Sequence, residues 1–426
     1  MSSLTEQHVD LARFVTCGSV DDGKSTLIGR LLYDSKQVMA DQLEHVEDVS
    51  ERRGDGYVNL ALLTDGLRAE REQGITIDVA YRPFATPRRR FIIADCPGHV
   101  QYTRNMVTGA STADIAVILI DARNGVVEQT RRHSFICGLL RIPRLVVAVN
   151  KMDLVEFSKE RFDAICADFA QIVQEFDVEV DLVPISALDG DNVVDPSTRM
   201  DWYSGPTLLG LLETVPLDRA HGEHDSGRLA VQWVIRPQSD EYHDYRGYAG
   251  QIASGTFTSG DQVVVLPAGH VSTVASVETM DGPIASAQAP SSITLRLADN
   301  IDVSRGDLIA HVTDAPTVTR EIEADVCWMH ERPLAVRGRY VLRHTTREVV
   351  AIVDSIEHRV DIHTRGQEPA ESLALNDIGR ITLRTSQPLA VDPYAADRET
   401  GSFILIDEAT NETLGGGMVV RATPVG

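Results

Sequence analysis

An α/β domain with a parallel-rich sheet and helices on both faces, followed by two β-barrel domains, is the fold this sequence predicts. Three observations predict it. From Leu11 to about Pro216, short buried-strand runs alternate with amphipathic helical stretches, the rhythm of a parallel sheet covered on both sides. From Leu217 to Gly227 the chain becomes rich in charge, His and Gly and loses periodicity, as a linker does. Beyond that, alternation sets in between turn-like Gly and Asp clusters, which indicates all-β barrels. The expected organisation is residues 1–216, a linker at 217–227, one barrel over 228–315 and a second over 316–426.

In the first domain the strand candidates are Phe14 to Cys17, Phe91 to Ala94, Ile115 to Ile120, Leu145 to Val149 and Leu182 to Ile185. Phe162, Ile165, Phe169, Ile172, Val173 and Phe176 recur at helical spacing and mark one buried helix face. Past the linker, Val231, Trp233 and Ile235 alternate with other residues, and Ser259-Gly260-Asp261 and Ser304-Arg305-Gly306-Asp307 supply turns. A second β unit is expected to begin near Thr317, with strands at Arg339 to His344, Glu348 to Ile356, Ile381 to Leu383 and Ser402 to Ile406.

The chain has 426 residues, and 40 Lys and Arg stand against 63 Asp and Glu, a net charge of -23. Such a surface repels polyanions on average, so no stable nucleic-acid binding is expected, because that relies on cations displacing counterions from phosphates. Cys17, Cys96, Cys137, Cys166 and Cys327 are scattered singly with no CxxC spacing, which fits a reducing compartment. No run approaches the roughly 18 apolar residues of a membrane span, and Met1 to Phe14 lacks a basic stretch followed by an apolar one. The expected location is the cytoplasm, with no membrane partner.

The chemistry is concentrated early in the chain. Gly18-Ser19-Val20-Asp21-Asp22-Gly23-Lys24-Ser25 fits GxxxxGK followed by Ser or Thr, continues into Thr26, follows a predicted strand and precedes the helical pattern Leu27, Ile28, Leu31, Leu32. That context is what a phosphate loop requires. Backbone N–H groups close around phosphate oxygens, the helix N-terminus adds positive potential, Lys24 reaches the β and γ phosphates, and the Ser25 hydroxyl ligates Mg²⁺. The loop alone leaves ATP and GTP both open.

Four further elements in order decide for GTP. Asp95-Cys96-Pro97-Gly98 ends a strand as DxxG, placing a carboxylate near the metal and the Gly98 N–H near the γ phosphate. Asn150-Lys151-Met152-Asp153 ends another as NKxD, where Asp153 can accept from the guanine ring N–H and exocyclic amine. Adenine offers no such donor pair and would leave the carboxylate unpaired. Ser186-Ala187-Leu188 supplies a short loop that presents a backbone N–H to the guanine oxygen. Thr76, within Arg71 to Ile77, is a candidate to coordinate Mg²⁺ only while the γ phosphate is present, so hydrolysis would release its segment. The first domain is therefore expected to be a P-loop GTPase, with Ser25, Thr76 and Asp95 around the metal, Asp95 through water.

The Asp95 to His99 pentad DCPGH, the RExGITI segment and Gln129-Thr130-Arg131-Arg132-His133 resemble the GTPases of protein synthesis, especially the factors that deliver aminoacyl-tRNA. The resemblance implies that His99 positions the attacking water beside Lys24 and Thr76, and that Asp21 helps hold a monovalent cation next to the phosphates. Arg246-Gly247-Tyr248-Ala249-Gly250-Gln251-Ile252, then Gly255, Gly260-Asp261 and Pro267, is similar to the second domain of those factors. Its glycines are read as turn punctuation.

Other stretches resemble more specifically the family of GTPase subunits of two-subunit sulfate adenylyltransferases. They are Gly29-Arg30-Leu31-Leu32-Tyr33-Asp34, Leu63 to Leu67, Asp78-Val79-Ala80-Tyr81-Arg82, Trp328-Met329, Leu375 to Arg380 and Arg398 to Asp407. That likeness implies GTP hydrolysis coupled to synthesis of adenosine 5′-phosphosulfate and pyrophosphate from ATP and sulfate. The adenylyl transfer is implied for a separate, smaller catalytic subunit related to ATP pyrophosphatases. Some members of the family carry a C-terminal adenylylsulfate kinase domain, which needs a second phosphate loop; Gly415-Gly416-Gly417 has no GK pair after it, so no such domain is expected here. The alternative is an elongation-factor-like translational GTPase delivering aminoacyl-tRNA.

Overall fold

A computed structural model describes residues 10–53, 57–63, 78–99, 102–174, 176, 178–217, 226–237, 245–361 and 366–425. The chain forms two compact units, Met1–Leu217 and Asp218–Gly426.

The first unit is built on six strands, β1 (Leu11–Cys17), β2 (Ala80–Ala85), β3 (Arg90–Asp95), β4 (Ile115–Asp121), β5 (Arg144–Asn150) and β6 (Glu179–Pro184). They lie in the order β2-β3-β1-β4-β5-β6, all parallel except β2, which runs antiparallel to β3. Sequence patterning finds the five parallel strands and misses β2. That strand contains Pro83 and lies at the sheet edge, where a missing N–H is tolerated. Register decides where the strand ends lie. Thr16 faces Asp95, Cys17 faces Ile118, and Asp121 faces Asn150, so the carboxyl ends of β1, β3, β4 and β5 come together, where open α/β sheets bind ligands.

The helices are α1 (Lys24–Asp34), α2 (Ala40–Arg53), α3 (Thr103–Ala110), α4 (Glu128–Leu139), α5 (Lys159–Val173) and α6 (Leu208–Thr214). Helix α1 buries Leu27, Ile28 and Leu31 against Phe14, Phe91, Leu119 and Leu212 in one core. Helix α5 starts where the Ser158 hydroxyl accepts a hydrogen bond from the Arg161 N–H at 3.2 Å, an N-cap. Its face of Phe162, Ile165, Phe169 and Ile172 is buried as the periodicity predicts, each side chain contributing roughly 2 kcal/mol.

The second unit holds two closed six-stranded barrels. In the first, β7 (Arg228–Ala230), β8 (Gly247–Ser254), β9 (Gln262–Leu266), β10 (His270–Thr279), β11 (Ser292–Leu297) and β12 (Leu308–His311) pair in the order β9-β12-β7-β8-β11-β10 and back to β9. In the second, β13 (Thr317–Trp328), β14 (Arg339–His344), β15 (Arg347–Val360), β16 (Ile378–Val391), β17 (Ser402–Ile406) and β18 (Thr413–Pro424) close as β14-β17-β18-β13-β16-β15 and back to β14.

Two expectations need correcting. Gly247 and Gly250 are strand residues, and Gly250 is required by close approach, since a Cβ there would lie 2.3 Å from the Ala230 carbonyl oxygen. Trp233 does not share the buried side of Val231; the strand is interrupted after Ala230, and the indole is 69% exposed.

Within this unit the barrels meet along an apolar seam of Val264, Leu266, Leu308, Ala310 and Ala390. At its edge Arg228, 1% exposed, donates to Asp392 from Nε at 3.1 Å and from a terminal nitrogen at 3.4 Å, and the Thr400 hydroxyl donates to the same carboxylate at 2.6 Å. Removing one partner of such a pair leaves the other buried and uncompensated. Arg228→Ala is expected to lower unfolding free energy by about 3 kcal/mol in urea titrations, and Arg228→Met with Asp392→Leu to recover most of that loss.

Candidate functional site

The phosphate loop occupies the turn from β1 into α1. Gly23, at φ 94°, caps the helix, and Asp21 has φ 68°. Within the loop the Asp22 carboxylate accepts the Ser19 N–H at 2.5 Å. Burial raises the Asp22 carboxyl above its ordinary value, against the pull of that N–H and of Lys24. The Lys24 ammonium is buried and donates to the carbonyls of Gly18 at 3.1 Å and Ser19 at 3.2 Å. Loss of solvent lowers its pKa, while Asp95 and Asp22 oppose the shift. Gly98 lies directly over this ammonium: a Cβ would sit 2.5 Å from Lys24 Nζ and 2.6 Å from the Gly18 carbonyl oxygen. The DxxG turn and the phosphate loop therefore enclose one cationic centre, and glycine at 98 is the residue type that leaves it open.

The second half of the site comes from β5 and β6. Asn150 spans it: its Nδ2 donates to the Asp22 carbonyl at 2.8 Å, and its Oδ1 accepts the Ala187 N–H at 2.9 Å. The Ser186 hydroxyl donates to Asp153 Oδ1 at 2.8 Å, holding the carboxylate that would face a base. Lys151, at φ 63°, ion-pairs with Asp121 at 3.0 Å and donates to the Asp21 carbonyl. Gly18 through Thr26, Asp95, Gly98, Asn150, Lys151, Asp153 and Ser186 through Leu188 are thus assembled along the carboxyl edge of the sheet as expected. Within the loop of Ser186 to Leu188 the Ala187 N–H is engaged by Asn150.

His99 is exposed, its ring centroid 6.0 Å from that of Tyr102. Asp21 is exposed on the rim of the loop. Thr76, with the rest of residues 71–77, lies outside the described residues.

Sequence reasoning overlooked three supporting groups. Asp121 ends β4, buried, and is held by Arg123 at 2.6 Å as well as by Lys151. Burial by itself would raise this carboxyl, but the hydrogen bonds from Arg123 and Lys151 outweigh it and hold the pKa down to about 2. Arg30 of α1 donates to the carbonyls of Ala187 at 3.2 Å and of Leu188. His133 of α4 is buried, with Nε2 3.0 Å from the Gln129 amide nitrogen, and no partner for Nδ1 among the described residues. Asp121 carried a sequence signal, an acid at a strand end, while Arg30 and His133 enter the sequence reading only within stretches that carry a family resemblance.

Mg²⁺ takes hard oxygen ligands and keeps several waters. Ser25, next to Lys24 at the start of α1, and Asp95, close enough to act on Lys24, offer a hydroxyl and a carboxylate of that kind. Among the described residues no group of three or more His, Cys, Asp or Glu could hold a metal.

Residues 9–219 match the elongation factor Tu GTP binding domain, and residues 321–420 match a GTP-eEF1A C-terminal domain-like family. The chain is 52% identical over 419 residues to the sulfate adenylyltransferase subunit 1 of Aeromonas salmonicida, covering 98% of this chain and 88% of that protein. It is 50% identical to the subunit of the same name from Bacteroides fragilis, covering 97% and 87%. With the bifunctional enzyme CysN/CysC of Mycobacterium tuberculosis it shares 54% identity over 96% of this chain and 67% of that protein.

Burial, followed by the positive charges of Lys24 and Arg132, pushes the His133 imidazole down to about 3. Its folded pKa lies below the ordinary 6.5, so the unfolded chain takes up a proton that the folded chain refuses. This contribution to stability is intact above about pH 6.5 and is lost as pH falls toward 3. Urea midpoints are expected to drop between pH 6.5 and 4.5, and His133→Gln to flatten that drop relative to the parent.

Proposed function

The chain belongs to the sulfate adenylyltransferase subunit 1 family and is a GTPase, the large subunit of such an enzyme, and from that premise we propose how it works. Its GTP hydrolysis drives formation of adenosine 5′-phosphosulfate and pyrophosphate from ATP and sulfate by a smaller, ATP-pyrophosphatase-like catalytic subunit. The observation that carries the GTP reading is the double anchorage of Asn150, which ties the phosphate loop to the loop after β6 while Ser186 orients Asp153. Family membership supports the coupling.

In this reading the N–H groups of residues 18–26 and the Lys24 ammonium receive the phosphates. Asp153 accepts the two donors of guanine, and adenine would leave it unpaired. Ser25, Thr76 and Asp95 hold Mg²⁺, the last through water; when bound, the ion neutralises charge that develops on the β and γ phosphates. His99, exposed next to the DxxG turn, orients water for in-line attack on the γ phosphorus, and the Gly98 N–H contacts the γ phosphate. Loss of that phosphate releases the segment around Thr76, and the partner subunit senses the release. Asp21 holds a monovalent cation at the rim of the loop. The working location is the cytoplasm: all five cysteines are free thiols, as in a reducing compartment, and no helix among the described residues is long and apolar enough to cross a membrane.

Lys24→Ala is expected to weaken GTP binding by at least about 100-fold and to abolish GTP-stimulated adenylylsulfate formation when the smaller subunit is added back. Stimulation that survived in this variant would falsify the coupling. Asp153→Asn is expected to shift preference from GTP to xanthosine triphosphate by about two orders of magnitude, measured by competition binding.

A further inference from the structure

We infer that Arg30 is a positioning residue for guanine specificity, acting by fixing the direction of the Leu188 N–H. The inference rests on the GTP reading above and assigns the donor to the base oxygen. Three of the four N–H groups over residues 187–190 are already engaged. Ala187 donates to Asn150 Oδ1 at 2.9 Å, Asp189 to the Ser186 hydroxyl at 3.3 Å, and Gly190 to the Ser186 carbonyl at 2.7 Å. The Leu188 N–H has no acceptor among the described residues, and Leu188 is exposed. It is the donor that this loop holds ready for a ligand.

A peptide unit is planar and trans, so its N–H points opposite to its C=O. The carbonyl that shares a peptide with the Leu188 N–H is that of Ala187, and Arg30 Nε holds it at 3.2 Å. A terminal nitrogen of the same guanidinium holds the Leu188 carbonyl, which belongs to the next peptide. One rigid fork therefore sets two successive peptide planes. Asp34, one helical turn further along α1 at 3.6 Å, and the helix itself set the fork. A lysine could reach one carbonyl but not bridge both. The arginine touches no substrate atom; it works through the backbone, on the base oxygen alone. Asp153, held by Ser186, answers for the base donors separately.

That separation gives the test. Binding of GTP and of 6-thioguanosine triphosphate is measured by calorimetry with Mg²⁺ on the intact chain, its Arg30→Ala variant and its Arg30→Lys variant. The thio analogue keeps both donors that Asp153 faces and replaces the base oxygen with a weakly accepting sulfur. Arg30→Ala is expected to weaken GTP about tenfold, the loss of one well-aligned hydrogen bond, and the thio analogue less than about twofold. Arg30→Lys should fall between the parent and Arg30→Ala for GTP, and it carries the measurement if Arg30→Ala does not fold. Equal weakening of both nucleotides would mean general damage to the loop and overturn the inference, as would unchanged GTP affinity. A parent chain that binds neither nucleotide would instead overturn the GTP reading itself.

Discussion

The first unit depends on one buried side-chain amide. Asn150 ends β5, faces Asp121 across the sheet, and donates to the phosphate loop while accepting from the loop after β6. A backbone carbonyl and a backbone N–H that would otherwise be buried without partners are satisfied by one side chain. Leaving either unmade costs about 1–3 kcal/mol. The phosphate-binding and base-binding halves thus share a mechanical element: a shift of Asp22 is felt at Ala187 through two hydrogen bonds and one rigid amide plane. Gly23 shows how tight the joint is, since a Cβ there would lie 2.5 Å from the Asn150 amide nitrogen.

Around this joint, charge is managed locally within a strongly acidic chain. Net charge argues against binding polyanions, yet the loop binds through dipoles and one ammonium at short range, where a field summed over the surface matters little. Lys24 and Lys151 divide the task. Lys151 bonds Asp121 and the Asp21 carbonyl, and Asp121 is itself anchored by Arg123. Among the described residues Lys24 donates only to carbonyls of its own loop, weaker partners than a phosphate would be.

The sequence was most informative where covalent pattern and local geometry coincide. Gly23, Lys24 and the strand-end positions of Asp95 and Asn150 appear where the spacing places them, because a strand, a tight turn and a helix are local events. The edge strand β2 escaped because Pro83 and the polar residues beside it read as loop, and only pairing with β3 makes them strand. Trp233 was misjudged because alternation alone cannot tell where a strand is interrupted. Arg30 is not legible as a site residue for another reason: its partners Ala187 and Leu188 lie 157 and 158 positions away in sequence, and its value comes from a register that patterning does not supply.

The management of charge is tightest at Lys24. In this structure the Lys24 ammonium bonds two neutral carbonyls, in a place where burial lowers its pKa. In the proposed reading a phosphate would exchange those bonds for charge-assisted ones, adding to the compensation that Asp95 and Asp22 already give. Gly98 lies over the ammonium, at the end of the same turn that leads to His99. No residue larger than glycine fits at 98, since a Cβ there would meet both the ammonium and the Gly18 carbonyl oxygen. Gly18, Lys24 and Gly98 thus make one crowded point where the phosphate loop and the DxxG turn meet.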